Sequence, residues 1–276
     1  MTGRLIKYEI KSTAKIMAVI WAALIAASIL FSISIHVLGD LFEPGVRGMG
    51  FLLGIIEVIT GLMYFAVFVA LIVATLVIVI MRFYRGLLGE EGYLMHTLPV
   101  KPWQLITSKG VVAALVVVIS VIAAFASVLI LAGGNSLEIF PEMFGFIERV
   151  WDADPRYILV MAEAVILLVL SVLKSIYQIY AALAIGQLAG KHRILLSLAA
   201  YIGLSILVVV IVMVLAVIGD NAGFLGWLGA LMSADVDNAF NAVQLTVGGM
   251  FIMTAVQLAG FHVITERLLS LKLNLQ

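Results

Sequence analysis

The stretch FYRGLLGEEGYLMHTLPVKPWQLITSKG, residues 83–110, interrupts a chain that is otherwise largely apolar. Long apolar runs flank it, over residues 51–81 and 110–131. A helix needs roughly 20 apolar residues to cross the ~30 Å hydrocarbon core of a bilayer, and both runs are long enough. The stretch therefore reads as a polar connection between two membrane spans.

Four more runs qualify, over residues 16–38, 157–188, 194–218 and 242–263. The expected fold is an all-α integral membrane protein, a single domain of six transmembrane helices over residues 1–276. Composition agrees. The 276 residues are 64% hydrophobic and 12% charged, with a mean hydropathy of +1.23. Soluble domains carry about 25% charged residues. The formal net charge is +0 and no dense basic block occurs, so no nucleic-acid partner is expected. The chain has no cysteine, which excludes disulfides and thiol chemistry. With 4 His and no H-E-x-x-H, no metal site is expected.

Lys and Arg set the orientation. Twelve lie at the termini and in the second and fourth connections, three (Arg47, Arg149 and Arg156) lie on the opposite side, and Lys174 lies within a span. Both termini and residues 83–110 are therefore expected to be cytoplasmic. In residues 1–15, Arg4, Lys7, Lys11 and Lys15 recur at helical spacing, away from Leu5, Ile6 and Ile10. That pattern suits an amphipathic helix in the inner interface before the chain turns into the first span. Residues 219–241 read as an external loop, and its ten apolar residues at 223–232 are too few to span, as in a re-entrant piece.

Local signals divide the opening stretch. Gly89 and Gly92 weaken helix continuation. Glu90 and Glu91 suit the first turn of a short helix, Pro99 stops it, and Pro102 suits the first position of the next. Such a helix would present Tyr93, Leu94, Met95 and Leu98, with His96 and Thr97 between them. A docking surface and a plain connection resting on the headgroups both fit this spacing.

The motif resembles that of ABC (ATP-binding-cassette) transporter permeases of the type-2 export class, especially those of Gram-positive bacteria. These permeases have six spans, cytoplasmic termini and often an amphipathic N-terminal helix. A cytoplasmic stretch between their second and third spans reads as acids, Gly-Thr, Pro and then Lys. Glu90, Glu91, Gly92, Pro99 and Lys109 match it, while Tyr93 replaces the usual Thr. The resemblance implies that residues 82–109 hold a coupling helix seated in a cleft of a separate ATPase subunit. It also implies a bacterial plasma-membrane exporter that works as a dimer with a second copy or a related permease. ATP and Mg would then be bound by the partner ATPase, with no cofactor and no catalysis on this chain. The absence of a P-loop agrees, because GQLAGKH at 186–192 lacks the Gly spacing and Ser/Thr that cradle phosphates.

Three ionisable residues fall within spans: Glu57, Glu163 and Lys174. Each costs roughly 2.5–3.5 kcal/mol at the bilayer centre on insertion scales, so each needs a reason. Glu57 is expected at the outer interface and is, with the residues that follow, a candidate for a translocation path or subunit interface. Glu163, Ser171, Lys174 and Gln178 share one helix face, read either as a wall of a translocation path or subunit interface, or as structural hydrogen bonding. Gly186 and Gly190 form a GxxxG that suits close helix packing. These residues leave open a proton-coupled secondary transporter and a non-transporting membrane scaffold.

Overall fold

A computed structural model describes residues 2–38, 49–88, 102–133, 136–189 and 192–271. All of its regular structure is helical, and six helices are long and apolar enough to cross a membrane. We number them with the two shorter ones in chain order. They are α1 (Thr2–Ser32), α2 (Met49–Phe83), α3 (Pro102–Leu131), α4 (Ser136–Ala153), α5 (Tyr157–Gly186), α6 (Arg193–Asn221), α7 (Phe224–Ala234) and α8 (Val236–Leu271). The spans are α1, α2, α3, α5, α6 and α8. α1 and α2 each end in a wider π-helical turn, Ile33–Leu38 and Tyr84–Leu88.

Two features differ from the sequence reading, the continuity of α1 and the presence of α4. α1 runs unbroken from Thr2, so the chain makes no turn between residues 15 and 16. Lys7, Lys11 and Lys15 are exposed along its first half. α3 starts at Pro102, as its missing amide hydrogen suggested, and Lys109 and Gly110 lie two turns inside it. α4 was not anticipated: its apolar residues Met143, Phe144, Ile147, Val150 and Trp151 follow a 3.6-residue period opposite Glu142, Arg149 and Asp152. Within residues 219–241, α7 covers 11 residues after a left-handed Gly223.

The chain divides into two compact units, each assembled from separate stretches. One holds residues 3–79 and 112–147. Its core is Met17, Leu24, Leu71 and Val116, ringed by Trp21, Tyr64 and Phe68. Hydroxyls stitch its helices together. Ser120 Oγ accepts from Trp21 Nε1 at 3.0 Å and from Thr75 Oγ1 at 3.2 Å. Tyr64 and Ser127 pair their hydroxyls at 3.1 Å. Where lipid surrounds helices, apolar burial gives little drive for association, and such bonds and tight packing take its place.

The other unit holds residues 80–111 and 148–276. In it, α5 packs against both α6 and α8, and α7 against α8. Gly186 brings α5 close to α6, because a β-carbon there would overlap Ser197 Oγ and stand 2.7 Å from the Arg193 carbonyl oxygen. The contact of this glycine is thus within the chain, while Gly190 lies outside the described residues.

Candidate functional site

The coupling residues Glu90, Glu91, Gly92, Tyr93, Leu94, Met95, His96, Thr97, Leu98 and Pro99 lie outside the described residues. Their flanks are described, and both close on the same helix. Phe83, at the end of α2, stacks on Tyr180 of α5 with ring centroids 3.9 Å apart and planes 13° apart. Both rings are fully buried. From the other flank, the Lys109 carbonyl oxygen accepts a long bond from Tyr180 Oη at 3.4 Å. Gly110 meets Tyr177, whose hydroxyl would be 2.8 Å from a β-carbon at that position. Tyr177 in turn packs edge-on to Tyr180 and to His262 of α8, with centroids 5.9 and 5.3 Å away.

The two flanks also touch each other. Lys109 is buried, and its ammonium would stand 2.5 Å from a β-carbon at Gly86. Gly86 sits in the π-helical turn Tyr84–Leu88, where its missing side chain makes room for the ammonium. Turns of this kind recur at functional sites because they re-aim a helix without breaking it. Sequence reasoning found Lys109 but not Phe83, Gly86, Tyr177 or Tyr180. The i, i+3 pair Tyr177–Tyr180 near the end of an apolar run was the available signal.

The polar face of α5 separates into three directions. Glu163 faces α8, where Gln244 Nε2 donates to its Oε1 at 3.5 Å; its Oε2 is buried with no hydrogen-bond partner among the described residues. Gln178 is buried and donates to Ser205 Oγ of α6 at 2.7 Å. Ser171 and Lys174 line a cavity of about 780 Å³ formed with α6, α7 and α8. Glu57 is on α2, exposed, in the other compact unit.

At the other end of α5, Arg156 binds Asp154 through both nitrogens of its fork and also reaches Asp237 at the start of α8. Its guanidinium stands 4.9 Å from the centroid of Phe240, which Tyr157 meets edge-on. The hydrogen bonds from Arg156 hold the Asp154 carboxyl below the usual carboxylate range. The sequence placed Arg156 on one side of the membrane but gave it no role.

These features define a multi-pass membrane protein of six apolar helices, with a mostly apolar cavity that Ser171 and Lys174 of α5 help to line. No family model, curated protein or solved structure matches the chain.

Proposed function

We propose that the chain is the membrane-spanning permease subunit of an ATP-binding-cassette exporter in a bacterial plasma membrane. In this reading, separate ATPase subunits engage residues 89–101 from the cytoplasm and drive substrate outward through a dimer of permeases. The partner ATPases bind ATP and Mg. One observation supports this reading best: both flanks of that segment are locked to Tyr180 of α5, through the Phe83 stack and through the backbone of Lys109. A push on residues 89–101 would thus reach α5 directly, and with it Lys174 and the cavity wall. Two fully buried stacked rings resist shear, since interiors are close-packed and shift between discrete arrangements.

The test is co-purification with the ATPase encoded alongside, followed by export from vesicles. The paired change Glu91→Arg and Gly92→Trp should abolish both association and ATP-dependent export. If both persist, docking through this segment is wrong.

A second reading, proton-coupled transport, draws on the buried Oε2 of Glu163. It requires transport driven by a pH gradient without ATP and lost in Glu163→Gln.

A further inference from the structure

The cavity beside α5 has a chemical character that points to its occupant. Its walls are mostly aliphatic and aromatic, from α5, α6, α7 and α8. Lys174 is the one formally charged residue among them. The lysine is half-buried and makes no ion pair or hydrogen bond among the described residues. Thr254 and Gln257, which also line the cavity, likewise make no side-chain hydrogen bond among the described residues. The volume, about 780 Å³, suits a single small-molecule ligand. A second groove of about 560 Å³, almost wholly apolar, runs between α6 and α8 and shares Val208, Gly249, Met253 and Gln257 with the first.

A lone ammonium inside a span is costly unless something compensates it. Glu163 does not, because it lies 11 residues away on the same helix, or ~16 Å along the axis, and faces Gln244. A ligand entering the cavity with an anionic group would supply the compensation that no described residue gives. That ligand needs one anionic group for Lys174 and an apolar body for the remaining wall.

We infer that the cavity binds an anionic amphiphile, with a carboxylate or phosphate held by Lys174 and flanked by Thr254 and Gln257, and an acyl-like body along α6 and α8. This deepens the transport reading by naming its substrate class. It also stands apart from that reading in its test, because binding requires no ATPase and no export.

The experiment uses the full chain in nanodiscs of phosphatidylcholine, a zwitterionic lipid. The probe is a spin-labelled long-chain fatty acid, compared with its methyl ester. The carboxylate should bind wild-type protein at least about tenfold more tightly than the ester, the margin of a charge-assisted hydrogen bond. Lys174→Gln should erase that margin, and Lys174→Arg should keep most of it. A β-carbon at Gly249 meets nothing within 4 Å, so Gly249→Phe can fill the shared apolar space and should weaken acid and ester alike. Thermal unfolding of each variant serves as the folding control. Equal binding of acid and ester by wild-type protein would overturn the inference, as would an unchanged preference in Lys174→Gln. If the acid binds as stated but ATP-driven export fails, the site stands and the exporter reading falls. If export proceeds but the acid shows no preference, the reverse holds.

Discussion

Phe83 and Tyr180 lie face to face, 3.9 Å between centroids and wholly enclosed, although 97 residues separate them in the chain. One ends the helix before the polar connection, and the other belongs to the fourth span. Replacing either ring leaves a cavity that close packing cannot readily fill. Tyr180→Ala should cost about 3–5 kcal/mol, the usual range for a buried aromatic. Tyr180→Phe keeps the stacked ring and should cost much less, about 1 kcal/mol for the lost hydroxyl. Thermal unfolding of purified protein distinguishes the two, and equal effects would show that the stack contributes little.

Gly86 and Gly110 face different obstacles. At Gly86 a new methyl meets Nζ and Cε of the buried Lys109, the end of a long side chain. At Gly110 it meets the ring and hydroxyl of Tyr177, within 2.9 Å and held by its neighbours. Gly110→Ala should therefore destabilise by about 1–3 kcal/mol, the range for overpacking, and Gly86→Ala by less, since its obstacle is the end of a flexible side chain. Gly186→Ala should be worse than either, since the obstacle includes the Arg193 backbone.

Ser120 serves two partners on two helices, Trp21 and Thr75. Ser120→Ala removes both bonds at once. Interhelical hydrogen bonds within membranes average about 0.6 kcal/mol and reach about 1.7 kcal/mol. The expected loss is therefore about 1–2 kcal/mol, and Thr75→Val should lose about half as much. A double-mutant cycle between Trp21→Phe and Thr75→Val should show coupling only while Ser120 is present.

Asp154 sets the acid limit of the Arg156 clamp. Its carboxyl titrates lower in the folded chain than in the unfolded one, because Arg156 donates to the ionised form. The unfolded chain therefore binds this proton first. The clamp's contribution is complete above the ordinary carboxylate value of about 4 and fades as pH falls through the lower folded value. Arg156→Gln should accordingly lower the unfolding temperature at neutral pH. The gap from wild type should close below about pH 4, with the midpoint measured across a pH series.

The six spans were legible because each satisfies a length and polarity requirement set by the bilayer alone. Pro102 was legible as a helix start for an equally local reason, its missing amide hydrogen. α4 was missed because it is too short and too charged to span, and its period is visible only if a connecting segment is searched for one. The continuity of α1 was missed because Lys7, Lys11 and Lys15 carry the same signal on an interfacial helix and on a projecting one. Glu163, Ser171, Lys174 and Gln178 were correctly grouped on one helix face, but their separate partners were not. Gln178 turns to Ser205, Glu163 to Gln244 and Lys174 to a cavity. Those choices depend on α6 and α8, and no pattern within α5 records them. The same holds for Phe83 and Tyr180, whose pairing needs the third dimension.

The placement of Glu163 and Lys174 on one rigid helix has an electrical consequence. With both ionised, α5 carries +1 and −1 in the same span, and sliding along the membrane normal does no net work against the membrane potential. The anion inferred above, seated on Lys174, would cancel the positive end, and helix and ligand together would then move as −1. A slide of one helical turn, ~5.4 Å of the ~30 Å core, is then worth about 0.4 kcal/mol per 100 mV. In that arrangement the empty helix would be indifferent to a transmembrane voltage, and the loaded one would not.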